Sequence, residues 1–230
     1  MTIKKNLQLN RKLESNGVLF VDIETAYISE ESIIEEGVVI YPSVIIDGKS
    51  HVKKNSIVGM STRIVDSTIG RGTEIWNSVI LESKVGDNTK VGPFAYLRPK
   101  SNVGDNCKIG DFVEVKNSNF GDGSKASHLT YIGDADVGED VNLGCGVVFV
   151  NYNGRDKNRT VVKDGAFVGC NSNLVSPVTV EENSYIAAGS TVVEDVPSGA
   201  LHIARARGKN ILGWVKKRGI IKVKEKSNDE

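Results

Sequence analysis

The sequence predicts an all-β fold, a parallel β-helix wound from a six-residue repeat, and three observations carry that prediction. An apolar residue recurs at nearly every sixth position from Ile28 to Val192. The anchors run Ile28, Ile34, Ile40, Ile46, Val52, Val58, Ile64, Ile69, Ile75, Ile80, Val85, Val91, Leu97, Val103, Ile109, Val115, Phe120, Ala126, Ile132, Val137, Leu143, Phe149, Val162, Val168, Leu174, Val180, Ile186 and Val192. Of the 27 steps between them, 21 are six residues, five are five and one is thirteen, and 25 of the 28 anchors are Ile, Leu or Val. Glycine often follows the anchor, as in Val58-Gly59, Val91-Gly92, Ile109-Gly110 and Val168-Gly169, where it would let the backbone turn sharply.

A half-buried strand repeats every two residues and a helix every 3.6, so neither explains a period of six held over this length. Six residues make one short strand and one turn. Three such sides close an 18-residue triangle with its anchors pointing inward, and stacked triangles pair their strands in parallel around one aliphatic column. Ile28 to Val192 is long enough for about nine coils.

Taken in order, Thr2 to Glu14 spaces Ile3, Leu7, Leu9 and Leu13 loosely as a helix would, and Ser15-Asn16-Gly17 stops it. The expected organisation is a helix and lead-in over 1–24, the repeat over 25–198, and an irregular tail over 199–230. The thirteen-residue step marks a polar insertion at 151–160, and insertions in repeat proteins become loops on one face. The five-residue steps from Val115 to Phe120 and from Ile132 to Val137 also lie near this region and should distort the coil locally. Nine Lys and Arg lie between Arg205 and Lys226. They read either as a solvated end or as a segment whose first part, near Arg205 and Arg207, folds back onto a phosphate.

Lys plus Arg and Asp plus Glu balance at 29 each, so no global field recruits nucleic acid or an anionic membrane. The apolar runs, such as Gly146 to Val150, fall far short of the ~20 residues of a membrane span. Met1-Thr-Ile-Lys-Lys lacks the apolar core of a secretory signal. Cys107, Cys145 and Cys170 are an odd number without C-x-x-C spacing, which disfavours a disulfide framework or structural zinc. A soluble, cytoplasmic protein is expected.

The stretch from Ser127 to Lys157 is where the repeat falters, and it gathers His128, Tyr131, Asn142, Asn151, Tyr152 and Lys157. That set suits an anionic, hydrogen-bonding ligand better than a dry core.

Here the sequence resembles a known family. Val91-G-P-F-A-Y-L-R-P99, Gly110-D-F-V-E-V-K-N-S118, Ser127-H-L-T-Y-I-G-D134, Val141-N-L-G144, Asn151-Y152, Ile186-A-A-G189 and Ile203-A-R205 look like the acetyltransferase domain of the bifunctional bacterial enzyme that makes UDP-N-acetylglucosamine. The resemblance covers roughly Gly17 to Trp214. It implies a left-handed winding of the β-helix and transfer of an acetyl group from acetyl-CoA to glucosamine-1-phosphate, with no metal. It also implies a homotrimer with clefts between subunits. About 25 residues precede the repeat, too few for the family's uridyltransferase domain, so a stand-alone acetyltransferase is expected, with a separate uridyltransferase as an open partner.

By the same resemblance His128 is the catalytic base; an imidazole suits that role because the attacking amine must shed a proton near neutral pH. Arg98, Lys116 and Lys157 match the sugar-phosphate contacts, and guanidinium and ammonium groups are what a phosphate monoester requires. Tyr131 and Asn142 match sugar-binding positions. Cys145, Asn151, Tyr152, Cys170, Ala188 and Arg205 match the positions that meet the cofactor. Cys145 and Cys170 stand where the family usually has Ala and Ser, and both are small enough to keep a channel open.

Three other readings share this fold. A zinc carbonic anhydrase on this fold needs three converging histidines, and His51 and His202 are remote from His128 in the chain. An acyltransferase for another amino-sugar phosphate or a nucleotide sugar stays open, as does a non-catalytic β-helix.

Overall fold

The computed structural model describes residues 3–220. Its strands form three parallel sheets, one per side of a triangular solenoid, here faces A, B and C. Face A has eleven strands, from Leu19–Phe20 to Leu201–His202; face B has ten, from Tyr27–Ile28 to Thr191–Val192; face C has nine, from Ile33–Ile34 to Thr179–Val180. Each strand pairs with the strand one coil away, for example Glu114 with Tyr131 on face B.

All 28 anchors of the repeat point inward, and none is more than 8% exposed. A second inward position lies two residues before the anchor, and it carries small side chains: Ser56, Thr73, Thr89, Cys107, Ser124 and their equivalents are buried. Their hydroxyls bond the carbonyls of the next corner, as Ser124 does to Gly138 at 2.7 Å and Thr89 to Gly104 at 2.8 Å. Cys107 belongs to this ladder, and burial pushes its thiol up to about 11.

The corners differ from the expectation in one respect. Gly92 does turn the backbone, with φ of 100°, but Gly59, Gly110 and Gly169 do not adopt left-handed backbone; in their coils the positive φ falls three residues after the anchor, at Ser61, Phe112 and Asn171. Those glycines are needed for clearance. A Cβ on Gly110 would lie 1.9 Å from the Ser127 carbonyl oxygen, and one on Gly169 would lie 2.5 Å from the Ala188 nitrogen. The five-residue steps are absorbed in the same way, by moving the positive φ to the second residue after the anchor, at Asp66, Asn77, Glu82, Asn117 and Asp134. The expected distortion is confined to those corners, and strand register runs through unbroken.

The N-terminal helix, Ile3–Ser15, ends one residue later than the spacing suggested. It closes the open top of the column. Leu9 and Leu13 pack on the core. Asn10 donates to the carbonyls of Ile23 and Ala26, both at 2.9 Å, while Asn6 accepts from the Ile28 amide at 3.1 Å. These bonds satisfy first-coil groups that have no coil above them. At the other end, 203–220 leaves the solenoid and is largely exposed, with a short helix at Trp214–Lys217. The lysines expected beyond residue 220 lie outside the described residues. Among the described residues no helix is long and apolar enough to cross a membrane.

Candidate functional site

Position in the coil decides which side chains meet. The second residue after each face-A anchor sits on the corner between faces A and B. In successive coils this position holds Asp111, His128, Cys145, Cys170 and Ala188, because Ile109, Ala126, Leu143, Val168 and Ile186 are in register. Parallel strands lie ~4.8 Å apart, so these five form a vertical ladder. Its top two rungs are bonded: His128 Nδ1 lies 2.5 Å from Asp111 Oδ1. The His128 hydrogen bond is the largest cause holding the Asp111 carboxyl below its usual range. For a neutral ring, bonding Nδ1–H to Asp111 leaves Nε2 as the acceptor, turned to whatever lies outside the corner.

Beyond the corner, face B carries a second column. Tyr96, Glu114 and Tyr131 are in register, which places Arg98, Lys116 and Gly133 one above another. Tyr131 folds over the space at Gly133, where an added Cβ would lie 2.4 Å from its hydroxyl. Arg98, Lys116 and Lys157 together line an open cavity of about 390 Å³ with Pro99, Lys100, Asn117 and Asp134.

Carboxylates hold these cations in place. Arg98 Nη1 donates to Glu114 at 2.9 Å, and that bond is the main reason its guanidinium is raised above the ordinary value. Lys116 Nζ donates to Asp134 at 3.1 Å. Burial is the largest single influence and opposes the Lys116 charge, but its polar neighbours together, Asp134 first among them, outweigh it, and the net shift is upward. Lys157 is pushed down, chiefly by the neighbouring Lys116 ammonium. Burial likewise works against the Asp134 charge, yet bonds from Asn117 at 2.6 Å, Lys116, and Asn151 at 2.5 Å hold its carboxyl below the usual range.

The inserted loop leaves face B after Val148–Val150 and rejoins the solenoid at Thr160–Val162. Within it Tyr152 and Lys157 pair as an antiparallel bridge, closed by the Asn153 amide on the Asp156 carbonyl at 3.2 Å. This small hairpin carries Lys157 to the rim of the cavity.

Nine of the twelve predicted residues fall into three places, and the other three lie apart from these. Arg98, Lys116 and Lys157 share the cavity. Tyr131 and Asn151 stand beside it, with Asn151 buried and donating to Asp134 and, at 3.4 Å, to the Tyr131 hydroxyl. His128, Cys145, Cys170 and Ala188 form the corner ladder. Asn142 sits on face A, paired with Lys125, on the far side of the corner from the cavity. Tyr152 is exposed on the hairpin, its hydroxyl donating to the Gly154 carbonyl at 2.7 Å. Arg205 lines a separate shallow hollow with Ile203 and Arg207. His51 is on face C, bonded to Glu35 at 2.7 Å, and His202 is in the last strand of face A; neither shares a coil with His128.

Sequence reasoning missed the acidic partners Asp111, Glu114, Asp134 and Asp136, together with Asn117 and Arg159. A signal existed for some of them. Asp111 is 17 residues before His128, and Asp134 is 17 before Asn151 and 18 after Lys116, which is one turn of the coil in each case.

The ridge of the corner is apolar. Phe94, Phe112 and Leu129 adopt φ of 60°, 55° and 48° and project from successive coils. All three are exposed, and the two phenyl rings stack at 5.5 Å. This ridge runs directly beside His128.

The chain is similar to known proteins. Residues 82–117 match the bacterial transferase hexapeptide (six repeats) family, and with three parallel faces the fold is the left-handed parallel β-helix. The chain is 56% identical over 211 residues to the bifunctional protein GlmU of Clostridioides difficile (strain 630), covering 92% of this chain and 46% of that protein. It is 53% identical over 216 residues to the bifunctional protein GlmU of Clostridium novyi (strain NT), covering 94% and 47%. The chain thus spans about half the length of the curated relatives it matches. Among solved structures, a UDP-N-acetylglucosamine acyltransferase of Arabidopsis matches with a TM-score of 0.49 at 17% identity, over 90% of this chain and 73% of that one.

Proposed function

Because this chain belongs with the bifunctional GlmU proteins over the half of their length that it matches, we propose that it is an N-acetyltransferase. It moves the acetyl group of acetyl-CoA to the amine of glucosamine-1-phosphate, giving N-acetylglucosamine-1-phosphate. One observation carries the reading: Arg98, Lys116 and Lys157 line a single open cavity on the face entered directly after the His128–Asp111 corner.

In this mechanism the three cations take the phosphate, and charge-assisted bonds fix the sugar against face B. Tyr131 reads a ring hydroxyl beside them, and Asn142 another from across the corner. His128 Nε2 accepts the proton that the amine loses as it attacks the thioester carbonyl, while Asp111 holds the ring in the tautomer that leaves Nε2 free. The C–S bond then breaks and CoA leaves as the thiol, its sulfur taking that proton from His128. The thioester lies along the lower rungs of the ladder, where Cys145, Cys170 and Ala188 present small side chains and backbone amides. Asn151, Tyr152 and Arg205 complete the cofactor contacts. No step needs a metal.

The catalytic domain is the solenoid from Leu19 to His202, a few residues wider at each end than the expected 25–198; the helix Ile3–Ser15 caps it and residues 203–220 form a tail. One solenoid offers a wall where a closed cleft is needed, and the exposed Phe94, Phe112 and Leu129 ridge supports a homotrimer whose partner subunit completes each site. The test is acetyl-CoA consumption with glucosamine-1-phosphate, galactosamine-1-phosphate and the two 6-phosphates. Turnover is expected to be fastest with glucosamine-1-phosphate; preference for a 6-phosphate or no turnover with any of the four overturns the assignment.

A further inference from the structure

The hairpin that carries Lys157 stands on two posts, and the second has no role in the reaction described above. The first post is Asn151, bonded to Asp134. The second is Arg159. Its Nε and Nη2 donate to the two oxygens of Asp136 at 2.5 and 2.6 Å; Nη1 reaches the Asn117 carbonyl at 3.0 Å and Nη2 the Ala135 carbonyl at 2.9 Å. A guanidinium is the side chain suited to this task, because its planar fork meets both carboxylate oxygens and still has donors for two carbonyls.

The receiving groups are themselves fixed. Asp136 Oδ1 also accepts from Asn119 at 2.7 Å, and Asn119 accepts from Asn102 at 2.9 Å, an amide ladder running up face C. Asn117 joins the two posts, since its side chain donates to Asp134 while its carbonyl receives Arg159. Asn117 also lines the cavity, next to Lys116. The hairpin between the posts has few other restraints: the Tyr152–Lys157 bridge, the Asn158 amide on the Asn151 carbonyl at 2.7 Å, and the Asn153 turn are all internal to it.

We propose that Arg159 is a positioning residue for the anion site: by clamping the hairpin's far end to Asp136 and the Asn117 corner, it holds Lys157 opposite Arg98 and Lys116. Arg159 does not touch the ligand; it acts through Lys157. The inference rests on the reading above only in taking the cavity to hold a phosphate.

The experiment measures inorganic phosphate affinity by calorimetry for wild type, Arg159→Ala, Arg159→Lys, Lys157→Ala and the double variant Arg159→Ala/Lys157→Ala. Arg159→Ala is expected to weaken phosphate binding about tenfold, the scale of one charged hydrogen bond, to within about twofold of Lys157→Ala. The double variant is expected to bind no more weakly than Lys157→Ala, because the clamp has nothing left to position. Arg159→Lys keeps the charge opposite Asp136 without the fork, so it restores part of the loss; it also serves if the alanine variant fails to fold. In turnover, Arg159→Ala should raise the KM for glucosamine-1-phosphate while the KM for acetyl-CoA stays within about twofold. Wild-type phosphate affinity in Arg159→Ala, a double variant in which the two losses multiply, or a wild-type protein that binds no phosphate overturns the proposal. A wild-type protein that binds phosphate but acetylates no amino sugar sinks the enzymatic reading alone, and the phosphate series still decides the role of Arg159.

Discussion

His128 Nδ1 and Asp111 Oδ1 lie 2.5 Å apart although 17 residues separate them in the chain, because one turn of the solenoid puts them on adjacent rungs of one corner. The carboxylate selects which ring nitrogen faces outward. Removing the imidazole by His128→Ala should lower kcat by ~10²–10⁴-fold, the usual contribution of a general base. Asp111→Asn keeps the shape but can bond either tautomer, so its kcat should fall between tenfold below wild type and the His128→Ala value. Wild-type kcat in His128→Ala removes it as the base.

In the proposed mechanism Arg98, which lines the cavity, meets the phosphate end and no part of the thioester path. Arg98→Ala should therefore raise the KM for glucosamine-1-phosphate by about tenfold or more, the loss of one charged hydrogen bond, while the KM for acetyl-CoA changes little. Equal changes in both constants would place Arg98 elsewhere in the mechanism.

The bond to Arg159 is the main cause holding Asp136 below its ordinary range, and Asp134 is lowered by its three donors against the effect of burial. A carboxyl depressed in the folded state adds stability that is complete above the ordinary aspartate value of ~3.9 and is lost as pH falls through the lower folded value. Wild type should thus melt higher than Asp136→Asn at pH 7, and the gap should close as the pH drops below about 4. A gap that widens on acidification contradicts the assignment.

Gly110 is kept by clearance and not by backbone angle. Gly110→Ala would put a Cβ 1.9 Å from the Ser127 carbonyl oxygen, forcing apart the two strands that hold Asp111 and His128. Destabilisation of about 1–3 kcal/mol or more is expected, the cost of overpacking a rigid site, and it is read as a lower denaturation midpoint. An unchanged midpoint would mean the corner yields freely.

The Phe94–Phe112 stack is exposed on a single chain. Light scattering should give a mass of roughly 75 kDa, three times the 24.8 kDa chain. Phe112→Glu should shift the population toward monomer and cost acetylation in proportion, since a charge replaces an apolar contact. A monomeric wild-type protein would refute the trimer.

The sequence alone determined the architecture. Every one of the 28 anchors is buried, because an inward-facing position each sixth residue is a local property that a strict period exposes. It also located the polar insertion at the one thirteen-residue step, and motif resemblance picked out His128 and the three cations. Tertiary structure alone decided what surrounds them. The anchoring of Lys157 depends on Arg159 reaching the Asn117 carbonyl 42 residues away, and no sequence period encodes that reach. The carboxylates Asp111, Asp134 and Asp136 look like ordinary turn residues until stacking brings each beside a cation, an amide or an imidazole. A solenoid writes its core along the chain and its site across it, because strand pairing joins residues one coil apart while the inserted loop joins residues at no fixed interval.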